Sequence, residues 1–117
     1  MVLLADIVRK LDCEAVVSSG DRLGIEIESY FAAHLMSNVL ASSRAGAVLL
    51  TGLTTVQAVH TADIADFRAV VFVGGKRPAP DAARLAELRG VPLFVTRYGM
   101  IEACSRLAEY WPAATGG

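Results

Sequence analysis

Three short polar segments, each following an apolar run, contain the residue types that could bind an anion. They combine hydroxyl groups, glycine amides that no side chain shields, and cationic side chains, all of which can bind a phosphate group. If the apolar runs are parallel strands of one sheet, these segments meet at the sheet edge where α/β proteins bind ligands. We predict a ligand site there, with the alternative that the glycines only form turns and the basic side chains are solvated. Its residues are Thr51, Gly52, Thr54, Gly74, Gly75, Lys76, Arg77, Thr96 and Arg97.

The sequence contains no recognised catalytic or metal-binding motif. It lacks GxxxxGK[ST], GxGxxG, GxSxG, CxxC and HExxH. The segment HTADIAD at 60–66 has helical spacing, but we interpret His60, Asp63 and Asp66 as a solvated polar face. We interpret His34 as a surface or interface histidine, and Cys104 as a core residue. These patterns predict a protein that is not an enzyme and uses neither cofactor nor metal, with an unrecognised enzyme as the least favoured alternative.

Composition excludes several classes of protein. The chain has 117 residues, of which 54% are hydrophobic and 20% charged, and its formal net charge is −1. Such a balance gives no electrostatic reason to bind nucleic acid or an anionic membrane. Cys13 and Cys104 are predicted to be reduced, because two cysteines do not make a disulfide-built scaffold. The amino-terminal segment does not resemble a signal peptide, and we predict a cytoplasmic protein.

The uncharged stretch at 45–62 is long enough to be considered as a membrane span. It contains Gln57, His60 and four threonines, and its pattern changes at Thr51-Gly52. A buried strand followed by a helix explains this composition better, so we predict no membrane segment.

Hydrophobic periodicity predicts alternating strands and helices. Helices are predicted over 3–11, 34–42, 54–61, 80–89 and 100–111, and strands over 13–17, 25–27, 47–51, 69–73 and 91–96. Proline at 80 and aspartate at 81 favour a helix start, while Gly90 is predicted to be its left-handed cap. We expect Leu35, Val39 and Leu40 on the core side of helix 34–42, and residues 25–27 at an edge of the sheet.

This alternation predicts an α/β fold with a single domain. Continuous apolar strands between amphipathic helices indicate a mostly parallel β-sheet of 4–5 strands, flanked by helices on both faces. Residues 1–112 are predicted to form the domain, and residues 113–117 a flexible tail.

Large apolar residues near the helix at 34–42 suggest a contact with another chain. A surface helix needs one apolar stripe, and the apolar groups here are predicted to surround much of the helix. We therefore predict a homodimer with Tyr30, Phe31, Leu35 and Met36 at its interface.

An ordered series of segments resembles the DRTGG domain family over roughly residues 2–111. The segments are DRLGIEIESY at 21–30, HLMSNV at 34–39, VLLTG at 48–52, QAV at 57–59, VGGKRP at 73–78 and VPLFVT at 91–96. The chain departs from the family pattern in two places, since the usual glycine pair is replaced within 28–30 and His34 stands where an acidic residue is usual.

The resemblance implies a fold similar to the N-terminal domain of HPr kinase/phosphorylase. Related domains occur in CBS-containing pyrophosphatases and in phosphate acetyltransferases, where they are regulatory or dimer-forming, and adenine nucleotides bind some CBS-linked assemblies. It therefore implies a non-catalytic regulatory domain, homodimeric, that binds an adenine nucleotide or another small anion at the strand ends. The alternative is a protein-interaction or scaffold module that binds a protein partner and no small molecule.

Overall fold

The computed structural model describes residues 1–17, 20–36 and 45–111. The strands are β1 (Val2–Leu3), β2 (Glu14–Val17), β3 (Glu26–Ile27), β4 (Ser29–Ala32), β5 (Ala47–Thr51), β6 (Ala69–Phe72) and β7 (Leu93–Val95). The helices are α1 (Leu4–Lys10), α2 (Val56–Ile64), α3 (Pro80–Arg89) and α4 (Met100–Leu107), with a short 3-10 helix at Gly20–Gly24. None of the helices among these residues is long and apolar enough to cross a membrane.

A five-stranded sheet in the order β2-β7-β6-β5-β4 forms the centre of the fold. Strands β4, β5, β6 and β7 are parallel, and β2 pairs antiparallel with β7 at one edge. Every residue of β5 and β6 is buried, as expected for strands without polar alternation. The predicted α/β fold with a mostly parallel sheet is confirmed.

Helices cover both faces of this sheet. Strands β4 to β7 follow one another in a single direction, so right-handed crossovers place α2 and α3 on the same face. Their small residues Ala58, Ala62, Ala82 and Ala86 pack over alternate strand residues, which include Leu49, Val70, Phe72 and Leu93. Helices α1 and α4 pack on the opposite face, against Val48, Leu50, Val71 and Phe94.

Helix α3 begins and ends as its sequence predicts. Pro80 occupies the first turn with Asp81, and Gly90 caps the helix with a left-handed φ of 69°. Proline lacks the amide hydrogen that would be unpaired there, and glycine adopts a positive φ without steric cost.

The segment at 25–27 does not form an edge of the main sheet, contrary to prediction. Strand β3 pairs with β1 in a separate two-stranded sheet, and β4 forms the edge instead. Ile27 is buried as expected, whereas Ile25 is half-buried. The strand at the edge is two-sided, since Tyr30 packs toward α1 and α4 while Phe31 packs toward α2 and α3.

The predicted helix at 34–42 lies mostly outside the described residues, as do Val39, Leu40 and residues 113–117. Leu35 is 65% exposed, so its predicted core position is wrong. Met36 is buried in the core beneath α2 and α3.

Candidate ligand site

The carboxyl ends of β5, β6 and β7 lie side by side. The Val73 amide donates to the Thr51 carbonyl oxygen at 3.0 Å, and the Thr96 amide donates to the Phe72 carbonyl oxygen at 2.9 Å. Parallel strands bring the segments that follow them to the same edge of the sheet. The three polar segments are therefore neighbours, although their individual groups differ in availability.

The Gly74-Gly75 turn uses its backbone amides within the fold. Both glycines have positive φ angles, 72° and 69°, which residues with a Cβ atom rarely adopt. The Gly74 amide donates to the Tyr98 carbonyl oxygen at 2.7 Å, and the Gly75 amide donates to the Thr96 carbonyl oxygen at 2.8 Å. These two donors join the turn to the end of β7 and are already paired.

The hydroxyl groups of Thr51 and Thr96 are also occupied, and both residues are fully buried. The Thr96 hydroxyl donates to the Leu11 carbonyl oxygen at 2.6 Å, and its Oγ1 accepts the Tyr98 amide at 3.3 Å. The Thr51 Oγ1 accepts the Leu53 amide at 3.1 Å. These contacts give both threonines a structural role at the strand ends.

The arginines of the predicted site contact acidic residues beside β2. The Arg77 guanidinium lies 2.6 Å from the Glu14 carboxylate, and the Arg97 guanidinium lies 3.7 Å from the Asp12 carboxylate. Arg97 also donates to the Tyr98 hydroxyl at 3.2 Å, which is the main reason that its pKa is raised. The charges of both arginines are thus partly compensated within the chain.

Gly52, Lys76 and His34 lie together and form a group that we term the Gly52 cluster, whereas no hydrogen bond among the described residues joins the predicted site residue Thr54 to them. The Gly52 amide donates to His34 Nδ1 at 3.2 Å. A Cβ atom at position 52 would lie 3.1 Å from His34 Cε1 and 3.5 Å from Lys76 Nζ. His34 and Lys76 therefore occupy the space beside this glycine that a Cβ atom would need.

Lys76 differs from the two arginines because no acidic group neutralises it. Its side chain is exposed and has no hydrogen bond or salt bridge among the described residues. Thr54, three residues after the end of β5, is half-buried, and its carbonyl oxygen accepts the Ala79 amide at 3.0 Å. Helix α2 begins two residues later, after Thr55, whose side chain forms no capping hydrogen bond.

His34 is the member of this cluster that sequence reasoning missed. The sequence predicts that His34 lies near the start of a helix, and it does not show that a strand, β4, ends two residues before it. Strand β4 is parallel to β5, which ends beside Gly52. A strand assigned at 29–32 would have placed His34 at the same sheet edge as Gly52 and Lys76.

The residues predicted for a dimer interface lie mainly inside the chain. Tyr30 and Phe31 belong to β4 and are each 3% exposed, and Met36 is 4% exposed. Leu35 is exposed. Tyr30 and Phe31 are not part of a helix with apolar groups on all sides, because they face opposite sides of strand β4. The homodimer itself stays a prediction.

The two cysteines are free thiols, and both are half-buried. Burial raises the pKa of Cys13 from 9.0 to about 12, with a smaller contribution from Asp12, and burial also raises the pKa of Cys104. Both groups are therefore protonated near neutral pH, which makes them poor nucleophiles. Among residues 1–17, 20–36 and 45–111, no group of three or more His, Cys, Asp or Glu side chains could hold a metal ion.

Comparison with known proteins gives a structural match. No protein-family model and no curated protein sequence matches the chain. Its structure is similar to that of the CBS and DRTGG domains of the regulatory region of Clostridium perfringens pyrophosphatase, solved with the activator diadenosine tetraphosphate. The TM-score is 0.72 at 19% sequence identity, and the match covers 86% of this chain but 43% of the other. The chain thus has a DRTGG-like fold, as the sequence resemblance predicted.

Proposed function

We propose that this chain is a non-catalytic regulatory domain that senses a small anionic ligand, of the adenine nucleotide class, at the Gly52 cluster. The observation that carries the proposal is Lys76, a cation that lies beside Gly52 at the carboxyl ends of parallel strands and pairs with no acidic group among the described residues. Open α/β sheets bind their ligands at this edge.

The chemistry of the cluster suits a phosphate group. Lys76 supplies a point charge beside Gly52, and the Gly52 amide is a donor that an anion could accept from in place of His34. The first turn of α2 lies nearby in the chain, and its partial positive charge favours an anion.

The structural neighbour supports the choice of ligand class. It is a regulatory region complexed with a nucleotide activator, diadenosine tetraphosphate. The match covers 43% of the pyrophosphatase regulatory region, so we propose only the ligand class from this neighbour and not its activity or its complete binding site. The shared fold supports a sensing role and makes adenine nucleotides the first ligands to test.

A titration of the purified chain with AMP, ADP, ATP and diadenosine tetraphosphate tests the proposal. A ligand present at about 100 times its dissociation constant stabilises the folded state by about 2.7 kcal/mol, which raises the melting temperature measurably. Lys76→Ala should weaken the binding measured by calorimetry about fivefold to tenfold, as expected for one partly solvated charge contact.

Arg84→Ala is the matched control, because Arg84 is exposed on α3 and the variant removes the same charge. This variant should bind as the wild type does. The proposal is wrong if no nucleotide raises the melting temperature, or if Lys76→Ala and Arg84→Ala change the affinity equally.

The interaction-module alternative has weaker support among the described residues. Large exposed apolar side chains include Ile64 on α2, Leu88 on α3 and Ile101 on α4. Ile101 is on a helix that covers the opposite face of the sheet from α2 and α3, so it does not share a patch with Ile64 and Leu88. A homodimer and a protein partner stay predictions.

A further inference from the structure

The contact between His34 and Gly52 can form only when Nδ1 of the imidazole ring carries no hydrogen. Nδ1 accepts the Gly52 amide hydrogen at 3.2 Å, which requires a lone pair on that nitrogen. A neutral imidazole has one acceptor and one donor nitrogen, so the ring proton is on Nε2. In this state, His34 occupies the Gly52 amide that an anion would otherwise use.

Protonation of His34 would remove this contact. Both ring nitrogens then carry hydrogen, and Nδ1–H faces the Gly52 N–H as a second donor. Two donors cannot share one hydrogen bond, so the imidazolium ring must turn away from the amide. The Gly52 amide, the imidazolium and Lys76 would then lie close together, all of them suited to an anion.

The charged and titratable groups around His34 are consistent with the replacement of the imidazole ring by an anion at the Gly52 amide. Lys76, from the segment after β6, is the charged side chain that the structure places beside the contact. Strand β5 and residues 52–55 contain no titratable side chain, and Tyr30 of β4 packs into the core on the α1 and α4 side. Arg77, next to Lys76, is paired with Glu14. Two neighbouring cations, His34 and Lys76, would repel each other until an anion bound between them.

We propose that His34 is a proton-operated positioning residue at the Gly52 cluster. The neutral ring caps the Gly52 amide, and a phosphate group of the ligand replaces the ring as acceptor when His34 takes up a proton. Anion binding and proton uptake are therefore coupled, and binding becomes tighter as the pH falls. This inference rests on the proposed function, since it assigns a regulation to the same site.

Calorimetry with diadenosine tetraphosphate at about pH 6 and about pH 8, between which histidine changes its charge, tests the inference. The phosphates of this probe have no second ionisation in that range, so the charge of the ligand stays constant. Binding should be about fivefold to tenfold tighter at the lower pH, the effect of one charge-assisted contact in a partly solvated site. Titrations in two buffers of different ionisation enthalpy should show proton uptake on binding.

Two variants separate His34 from other sources of pH dependence. His34→Asn keeps a side-chain oxygen that can accept the Gly52 amide hydrogen but cannot become charged, so its affinity should not change with pH. His60→Gln removes the other histidine of the chain, which is exposed on α2, and should retain the wild-type pH dependence. If His34→Asn is unfolded by circular dichroism, His34→Gln takes its place.

The possible outcomes distinguish this inference from the proposed function. Binding that does not vary with pH, or that varies equally in the wild type and in His34→Asn, overturns the inference and leaves the proposed function standing. Absence of binding at both pH values overturns both. Tighter binding at low pH, lost in His34→Asn and retained in His60→Gln, is the expected result.

Discussion

Thr96→Val tests whether the buried hydroxyl at the end of β7 holds the fold together rather than binding a ligand. Valine has the shape of threonine but cannot replace its two hydrogen bonds, one to the Leu11 carbonyl oxygen at 2.6 Å and one from the Tyr98 amide at 3.3 Å. Thr96 is fully buried, so water cannot reach its position to compensate. A buried polar group that loses its partner costs about 1–3 kcal/mol. The first contact is short and the second is long, and we expect a total loss of about 2–4 kcal/mol in the free energy of unfolding.

Urea denaturation monitored by circular dichroism measures this loss, and the melting temperature should fall by about 10 °C for a domain of this size. Thr96→Ser is the matched control, because it keeps the hydroxyl group and removes one methyl group, at a cost of about 1 kcal/mol. The reasoning is refuted if Thr96→Val is as stable as the wild type, or more stable than Thr96→Ser. A ligand that binds the wild type should bind Thr96→Ser with unchanged affinity.

Three further predictions concern the core, a thiol and the oligomeric state. Phe72, fully buried on β6, should lose about 3–5 kcal/mol of unfolding free energy on substitution by alanine, and a measured loss below about 1 kcal/mol would contradict its central position. The raised pKa of Cys13 means that its contribution to stability is complete below about pH 9 and is lost as the pH rises toward 12. Urea denaturation between these values should therefore show a steeper fall for the wild type than for Cys13→Ala, and parallel curves would contradict the buried thiol. Sedimentation equilibrium should give a dimer, whereas a mass near 12.4 kDa at micromolar concentration would exclude it.

Local sequence signals were sufficient to predict the helices and strands whose boundaries depend on neighbouring residues. Pro80, Asp81 and Gly90 identified helix α3, and the apolar runs identified β5 and β6. These signals act within a few residues, through backbone conformation and burial on both faces. The alternation of such elements was also enough to predict the parallel sheet and its two helical layers.

The role of each site residue could not be predicted, because it depends on partners distant in the chain. The Thr96 hydroxyl bonds Leu11, 85 positions away, and Arg77 pairs with Glu14, 63 positions away. Neither contact leaves a local pattern. The Tyr30-Phe31 pair was misleading for a related reason, since two adjacent apolar residues suit either a helix or a strand that is covered on both faces.

The charges at the two edges of the sheet are the reason that we propose an anion site at the Gly52 cluster rather than along the whole row of strand ends. Strands β4 to β7 are consecutive, so the parallel part of the sheet has no reversal of strand order to open a crevice. We therefore base the proposed position of the ligand on the charges that the two edges contribute. Asp12 and Glu14 precede or begin the antiparallel edge strand β2, and they pair with Arg97 and Arg77. The β4 edge contributes His34, and among residues 1–17, 20–36 and 45–111 no acidic side chain pairs with Lys76, which lies beside Gly52.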